Sequence, residues 1–497
     1  MVSLLARPTA SQNTTALADA LIPALLAGNS PNATSTILPL LDGRTVSGTS
    51  NITRISAPAS DSSTTPNRTV TGLTTTGTAG YSLSTCHWLV GPVSTEFVPT
   101  GLVRADYDYI ALLNQSYFFY EAQRSGVLPP TNRSYSASGN LQYALDQLRW
   151  AADFLITAHI SPQEYVAQVG SAALDHSYWG RPEDETFAQP AYVIDPTKPS
   201  SDLLGEAAAG LAAVSAVFKT SDLAFSAQCL SEAQALYEFG TAYLGKYSAY
   251  GIDQLYPSSN FYDDLSYGAA WLYRATGQQN YLTDAENYWN QAHGADGNQY
   301  YLVFNWDNAI WGTSCLLSAL QPGVTTRYST EIEGFLASWI NGNNGITVTP
   351  KGLAWTTDWG SLRNSANAAL IAMIYSNQVT NITLATQYRC WAQGQIRYML
   401  GDTGRSFVVG FGQDPPSHES HRAASCPYPP ATCGWDVYSN PAPNAHVLFG
   451  ALIGGPSVTD NFTDVRSNYE QNEPALDIQA GYTGVLAAMM APSVPAW

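Results

Sequence analysis

The chain has 497 residues, of which 45% are hydrophobic and only 12% are charged, and its formal net charge is −18. Such an excess of acidic residues repels phosphate groups, so nucleic acids and anionic membranes are poor partners, whereas a neutral ligand is easily accommodated. The 13 Trp and 30 Tyr residues suit a flat, amphipathic ligand such as a sugar ring, although many of them are expected to lie in the core.

Residues 1–100 are rich in Ser, Thr, Asn and Pro and show little periodicity, which predicts a disordered linker rather than a compact domain. The first residues, MVSLLARPTA, contain too few apolar residues for a signal peptide, and no stretch is long enough to span a membrane. Eight Asn-x-Ser/Thr sequons permit glycosylation in a secretory route. Export would need either a signal that this sequence lacks or an unconventional route.

From about residue 104, helical patterns recur, and one predicted domain covers residues 101–497. In residues 139–159 the leucines recur on one face at spacings of three and four. Residues 201–219 open with a Ser cap and continue as a run of small residues that allows close helix packing. Further helices are predicted at 229–245, 262–275, 280–292, 308–320, 330–340, 361–376, 384–400 and 475–490, and one strand at 406–411. Paired helices without a repeat of fixed length indicate a nearly all-α toroid of helical hairpins.

Two features of the sequence bear on cross-links and metals. Cys426 and Cys433 bracket the Pro-rich segment CPYPPATC and are a plausible disulfide pair in an oxidising compartment. No Cys or His residues have the spacing of a zinc site, so no metal ligands are predicted. Asp175, Glu183 and Asp184 could hold a hard cation, but they lack the ligand spacing of a calcium loop, and capping of helix ends is the favoured role.

The segment DVRSNYEQNEPALDIQAGY (464–482) sets Glu473 among Asp464, Tyr469 and Asn472, just before an apolar run. An acid that protonates a leaving oxygen must be neutral beforehand, and a partly dry aromatic cleft raises the pKa of a glutamic acid in that direction. The alternative is a glutamate that the dipole of the following helix favours at its N-terminus. Taken alone, these residues favour the alternative.

Three further stretches carry candidate ligand-binding side chains. In PPSHESHRAAS (415–425), His421 and Arg422 can donate hydrogen bonds to hydroxyl groups or orient a carboxylate, and a solvated loop pair is an equally good interpretation. Trp179, in DHSYWGRPEDE (175–185), is a candidate sugar-stacking platform. Trp355, in GLAWTTDWGSLRNSANAAL (352–370), precedes a helix, and core packing explains it at least as well.

In combination, these stretches resemble glycoside hydrolase family 9, the cellulases built on an (α/α)6 barrel. The resemblance covers about residues 104–497 and runs in the family's order through SYFFYEAQRSGVLP (116–129), FYDDLSYGAAWLYRATG (261–277), GLAWTTDWGSLR (352–363), MLGDTGRSFVVGFGQDPP (399–416), HVLFGALIGGP (446–456) and DVRSNYEQNEPALDIQAGYTG (464–484). The family's terminal signature is met by Phe462, Asp464, Tyr469 and Glu473. Gln479 departs from it, because the family usually has Asn there.

The resemblance implies hydrolysis of internal β-1,4-glucosidic bonds in cellulose or related β-glucans, with inversion at the anomeric carbon. It assigns Glu473 as the general acid and Asp464 as a residue that supports the site by hydrogen bonding. It also implies a secreted monomer with no required cofactor and no nucleic-acid or membrane partner, with room for a structural calcium ion.

Five residues are implied to bind the glucan. His421 and Arg422 match the family's histidine-arginine pair, which contacts glucose hydroxyls next to the scissile bond. Tyr469, Trp179 and Trp355 are further candidates for the lining of the glucan cleft.

The catalytic base is missing from the sequence. In the family it is an Asp in a D-A-G-D motif, and no such motif occurs here. The residues LPPTNR (128–133) run almost directly into SYSASGNLQYALDQLRW (134–150), where the family has the base-bearing loop and part of the next helix. GADG (294–297) is a chance echo, and no motif assigns the role to Asp106 or Asp108. The barrel is therefore expected to be incomplete after residue 133.

Two origins of this gap stay open, an excised exon or splice variant and a genuine loss of hydrolysis, and the intact flanks favour excision. Three functions stay open as well. They are an endo-acting cellulase, a glucan-binding pseudoenzyme, and a helical toroid that acts on another neutral polysaccharide or on protein glycans.

Overall fold

The computed structural model describes residues 107–124, 140–250, 256–295 and 302–490, and the predicted linker of residues 1–100 lies outside these ranges. Fifteen α-helices occur in them, and eleven have nine or more residues. The helices are α1 (Tyr109–Ala122), α2 (Asn140–Ala158), α3 (Ala172–His176), α4 (Ser201–Phe218), α5 (Leu223–Ala242), α6 (Tyr262–Thr276), α7 (Gln279–Ala295), α8 (Ile310–Ser318), α9 (Arg327–Asn341), α10 (Ser361–Ser376), α11 (Ile382–Leu400), α12 (Arg422–Ser425), α13 (Trp435–Tyr438), α14 (Tyr469–Asn472) and α15 (Leu476–Met490).

The long helices fall into two classes of burial. Helices α4, α6, α8, α10 and α15 are buried on nearly all sides, whereas α1, α2, α5, α7, α9 and α11 are buried mainly on one face. Successive buried helices pack against one another, and α4, α6, α8 and α10 also pack against the half-buried helix that follows each of them. The result is an inner ring surrounded by outer helices, which confirms the predicted all-α fold of (α/α)6 type.

Glycines allow the inner helices to approach closely. A Cβ atom added at Gly205 of α4 would lie 2.7 Å from the backbone carbonyl of Asp264 in α6, and one added at Gly268 of α6 would lie 2.7 Å from the carbonyl oxygen of Gly205. Helix α15 approaches α10 in the same way, because a Cβ at Gly481 would lie 2.3 Å from Oδ1 of Asn367. The small-residue run predicted in α4 thus serves close packing.

The ring closes differently between α15 and α4. There α15 packs against α1, α4 packs against α2, and α1 and α2 pack against each other. From α4 to α11, inner and outer helices alternate along the chain. Here two outer-type helices, α1 and α2, follow one another with no inner helix described between them. The connecting residues 125–139 lie outside the described ranges, and their sequence contains no Asp or Glu.

Short strands occur in two of the loops. Strands β1 (His159–Ser161), β2 (Glu164–Val169) and β3 (Ala191–Ile194) form an antiparallel sheet in that order, ahead of α4. Strands β4 (Thr347–Val348) and β5 (Ala354–Trp355) form a small antiparallel pair ahead of α10.

The prediction of a strand at 406–411 is wrong. Residues there contribute only an isolated bridge between Val408 and Leu452. Gly404, Gly410 and Gly412 have positive φ angles of 102°, 71° and 80°, so the chain turns at both ends of this short apolar run.

The prediction that no stretch is long enough to span a membrane is wrong by length and composition, because one described helix, α4, meets that criterion, and 94% of it is buried inside the ring. This burial is typical of a core helix. The connections that precede α4 and α10 are each joined by hydrogen bonds to the long connection between α11 and α15, which brings the three together in space.

We expect Gly205→Ala to lower the free energy of unfolding by about 1–3 kcal/mol, because the added methyl group would overlap the Asp264 carbonyl. Gly334→Ala in α9 is the matched control. An added Cβ there meets no atom within 4 Å, so the change should be neutral or stabilising by up to about 1 kcal/mol. Urea unfolding followed by circular dichroism measures both, and equal effects would contradict the close contact between α4 and α6.

Candidate active site

Backbone hydrogen bonds join the connection before α10, and an earlier part of the connection before α15, to residues 470–472. The N–H of Gly360, just before α10, donates to the carbonyl of Glu470 at 3.1 Å. The N–H of Ser420 donates to the carbonyl of Asn472 at 2.9 Å. Glu473 follows directly, so its backbone lies close to the loop that carries the predicted His421 and Arg422.

Glu473 is 3% exposed, and its Oε1 has no hydrogen-bond partner. Burial, reinforced by the charge of Asp477, raises the pKa of Glu473 to about 8, although Trp359 and Arg363 act in the opposite direction. The carboxyl group is therefore a neutral acid at neutral pH, as a proton donor requires.

Asp477, rather than Glu473, is the acidic residue in the first turn of α15. Arg363 from α10 forms a salt bridge with Asp477 at 2.6 Å and donates a hydrogen bond to the carbonyl of Trp359 at 3.3 Å. These bonds hold Trp359 near Glu473. Trp359 and Arg363 lie in the stretch 352–370 that the sequence singles out, where core packing explained the Trp residues at least as well. Asp477 was not a candidate, because the sequence does not show that α10 and α15 are neighbours.

Asp464 accepts three hydrogen bonds from two consecutive residues, Ser417 and His418. Its carboxylate takes the N–H and the hydroxyl of Ser417, both at 3.0 Å, and the N–H of His418 at 3.1 Å. The Nδ1 atom of His418 is also 3.1 Å from it. Asp464 thus fixes the start of the segment that leads to His421, and its predicted supporting role in catalysis stays a prediction.

His421 is buried, and its two ring nitrogens have different partners. Nδ1 accepts the N–H of Ala424 at 3.1 Å, so the neutral ring carries its proton on Nε2. This atom lies 3.2 Å from the carboxamide of Gln123, the residue that follows α1, and it donates to that group when the amide is turned to present its oxygen. Burial lowers the pKa of His421 to about 4. The ring is therefore uncharged at neutral pH and suits a hydroxyl ligand better than an ionic one.

Arg422 is fully buried and points in another direction. It forms a salt bridge with Asp175 at 2.5 Å and donates to the carbonyls of Asp175 and Tyr178 at 3.3 and 3.2 Å. Burial lowers the pKa of Arg422 to about 9, so the guanidinium remains charged at neutral pH. Both Nη groups bond to the protein, which ties the loop at 175–178 to the His421 segment.

The predicted aromatic residues differ in exposure. Tyr469 is exposed, and its ring lies 5.2 Å from that of Trp359. Trp355 is half-buried and donates its indole N–H to the carbonyl of Pro456 at 3.3 Å. Trp179 is only 6% exposed, and its indole N–H donates to the hydroxyl of Ser425 at 3.1 Å. The structure therefore does not place Trp179 in an open cleft, because other rings cover it.

A second buried carboxyl group, that of Glu419, was not predicted from the sequence. Neither of its oxygens has a hydrogen-bond partner. Burial raises the pKa of Glu419 to about 7, the neighbouring Asp464 adds to the effect, and Asn444 and Arg466 oppose it. The only signal in the sequence was a glutamate between two histidines in a Pro-rich loop.

Gln479, the departure from the family pattern, has a packing role. Its Nε2 donates to the carbonyls of Ser116 in α1 and of Gly450, at 3.2 and 2.9 Å, and its Oε1 accepts the N–H of Leu452 at 2.7 Å. The side chain thus joins α15 to α1 and to the segment at 450–452, all in the buried interior.

The other acidic candidates have ordinary roles or lie outside the described ranges. The carboxylate of Asp108 accepts the N–H groups of Ile110 and Ala111 and caps α1, while Asp106 is not described. Asp184 pairs with Arg181 at 2.7 Å. In the described part of the chain, no group of three or more His, Cys, Asp or Glu residues could hold a metal ion, and the calcium ion stays an untested prediction.

Together these residues provide a proton donor without a matching base. Glu473 is a neutral acid beside exposed aromatic rings. The carboxylate of Asp464 accepts three hydrogen bonds from Ser417 and His418, and Glu419 is enclosed in the protein. Neither is arranged to activate a water molecule from an open face.

Comparisons with known proteins agree with this arrangement. The model of glycosyl hydrolase family 9 matches residues 131–486. Endoglucanase A of Bacillus pumilus is 34% identical over 452 residues, covering 78% of this chain and 67% of the relative. Endoglucanase 15 of Arabidopsis thaliana is 33% identical over 475 residues, covering 79% of this chain and 95% of the relative.

Solved structures show the same similarity. The endoglucanase from the termite Nasutitermes takasagoensis superimposes with a TM-score of 0.72 and 39% identity, covering 78% of this chain and 99% of that one. Endoglucanase CelQ from Clostridium thermocellum, complexed with cellobiose and cellotriose, gives a TM-score of 0.68 and 29% identity, covering 77% of this chain and 70% of that one.

This chain is shorter than its relatives within the aligned region. The match to Endoglucanase A extends over 452 residues, whereas 78% of the 497 residues of this chain is about 388. The relative therefore has segments without a counterpart here, as expected for a chain that lacks part of the barrel.

The raised pKa of Glu473 should make stability depend on pH. Between the pKa of a glutamate in the unfolded chain and the folded value of about 8, only the folded state holds the proton. The free energy of unfolding therefore falls as the pH rises through this range, by up to about 1.4 kcal/mol per pH unit. Relative to the wild type, Glu473→Gln should become progressively more stable as the pH rises from about 5 to about 8.

Urea unfolding at several pH values measures this difference. Glu470→Gln, which changes an exposed carboxyl three positions away, is the control and should follow the wild type at every pH. A constant difference between Glu473→Gln and the wild type across the range would contradict a raised pKa.

Proposed function

The chain belongs to glycosyl hydrolase family 9 and is a glycosidase by that membership, and we propose that it acts on internal β-1,4 bonds of cellulose-type glucans with Glu473 as its general acid. The relatives named above are endoglucanases. CelQ has been solved with cellobiose, cellotriose and cellotetraose, which supports a β-1,4-glucan as the ligand of this site as well.

The observation that carries the proposal is the state of the Glu473 carboxyl group. It is protonated up to a pH of about 8, has an unpartnered oxygen, and lies beside the ring pair of Trp359 and Tyr469. A neutral acid next to apolar rings fits a glucan, whose glycosidic oxygen needs a proton as it leaves and whose sugar rings stack on aromatic side chains.

In the proposed reaction, the bond between the anomeric carbon and the glycosidic oxygen breaks, and Glu473 transfers its proton to that oxygen. A water molecule attacks the anomeric carbon from the opposite face, with inversion, and loses a proton to a base. No residue of the described site fills the role of the base, and residues 125–139 contain no acidic side chain. Base assistance is typically worth about 10²–10⁴-fold, so hydrolysis by this chain should be slow by that factor.

A glucan-binding protein with impaired catalysis is the second candidate. The missing base favours it, because the acid, the neutral His421 and the exposed rings are all retained without the group that activates water. In both cases we propose a secreted protein, since a disulfide between Cys426 and Cys433 is stable in an oxidising compartment.

We expect slow release of reducing ends from a soluble cellulose derivative by the wild type and none by Glu473→Gln. Sodium formate, a small base that can enter a site lacking a carboxylate, should raise the wild-type rate by roughly tenfold or more, as part of the 10²–10⁴-fold that a built-in base supplies. Formate should not rescue Glu473→Gln, because that variant lacks the acid.

The outcomes separate the candidates. Formate-dependent hydrolysis supports the slow glycosidase. Binding of cello-oligosaccharides without hydrolysis, with or without formate, supports the binding protein. Absence of both binding and hydrolysis would rule out β-1,4-glucans as the ligand and leave another neutral polysaccharide to be sought with a substrate panel.

A further inference from the structure

Trp435 is a large aromatic residue that the protein holds at its surface. It is 49% exposed and begins the short helix α13. Its indole N–H donates to the carbonyl of Ser177 at 3.2 Å, and its ring lies 5.9 Å from that of the buried Trp179. Trp179 thus packs beneath Trp435, so the orientation of the exposed ring is fixed before any ligand arrives.

The loop before Trp435 is held from two sides. The predicted disulfide between Cys426 and Cys433 is confirmed and closes the loop at its base. Arg181 donates hydrogen bonds to the carbonyls of Pro427 and Ala431 at 2.7 and 3.0 Å. A ligand that stacks on Trp435 would therefore pay little entropy for ordering the loop.

A row of aromatic rings leads from this loop to the proposed acid. The ring of Trp435 lies 5.3 Å from that of Tyr438, whose hydroxyl donates to the carbonyl of Ser467 at 3.4 Å. Burial and the nearby Tyr469 raise the pKa of Tyr438. Tyr469 in turn packs against Trp359, beside Glu473. Trp435 is the outer end of this row.

We propose that Trp435 is a stacking site for a neutral sugar ring, several glucose units away from the bond that Glu473 protonates. The inference rests on the proposed function. A pyranose ring presents an apolar face that matches one indole, while a protein partner would require a broader apolar patch than a single row of rings. The net charge of −18 also favours a neutral ligand over an anionic one.

The test measures the binding of cello-oligosaccharides by calorimetry, in a Glu473→Gln background that prevents turnover. Trp435→Leu keeps an apolar side chain over Trp179 but removes the ring. We expect it to weaken binding of cellohexaose by roughly three- to tenfold and to leave cellobiose unaffected, because only the longer chain reaches the outer end of the row. Trp435→Tyr should restore most of the affinity for cellohexaose.

Tyr428→Ala is the matched control. Tyr428 is also exposed and belongs to the same disulfide loop, but its ring packs against His446 at 4.3 Å and not on the row. This variant should bind all oligosaccharides as the background does. Thermal unfolding of each variant identifies any that fail to fold. For the folded variants, the affinities of Trp435→Leu and Trp435→Tyr for cellohexaose are compared with that of the Glu473→Gln background, which shows whether the ring at position 435 contributes to binding.

Equal affinity of the background and Trp435→Leu for cellohexaose would overturn the stacking site and leave the proposed function intact. Equal losses for cellobiose and cellohexaose would overturn it too, because they indicate a change in the whole cleft. If the Glu473→Gln background binds no cello-oligosaccharide, the proposed function fails, and the stacking site with it.

Discussion

Buried charged side chains, rather than regular secondary structure, hold the long connection between α11 and α15. Arg466 donates to the carbonyls of residues 437, 440 and 442, at 2.7, 2.9 and 3.0 Å. Arg422 donates to the carbonyl of Tyr178, and Asp464 accepts the N–H of Ser417. Buried backbone groups need partners, and in a segment without helix or strand such side chains provide them. The approach of the Glu473 backbone to the His421 segment lies within the connection that these bonds hold.

Within that connection, the carboxyl groups of Asp464 and Glu473 differ in their hydrogen-bond partners. Asp464 accepts hydrogen bonds from Ser417 and His418, so it anchors the start of the segment that leads to His421. Glu473 is buried with an unpartnered oxygen, so its neutral form is favoured. A half-satisfied buried carboxyl group costs stability, and a structure retains one only where the surroundings enforce it. The same rigid surroundings therefore supply both an anchor and a proton donor.

The sequence predicted many helices because the outer ones are apolar on one face and the inner ones are long apolar runs between loops. The helix at 361–376 has the predicted bounds, and the small-residue run of α4 packs as expected. Side-chain surroundings in the loops were harder to predict, since they depend on residues far apart in the chain. Trp179 is covered by Trp435, more than 250 positions away. The strand predicted at 406–411 fails because flanking glycines turn the chain. Adjacent residues also diverge, with His421 facing Gln123 and Arg422 facing Asp175.

The contact between α1 and α2 shows where this architecture can change without collapsing. The two helices belong to the outer layer and are consecutive, and the rest of the ring closes around them. The acid and its supporting residues come from the opposite end of the sequence, so losing or regaining a segment between residues 124 and 140 leaves their encoding untouched. The segment that joins α1 to α2 and the region around Glu473 are therefore encoded more than 300 positions apart, so either can change in sequence without altering the other.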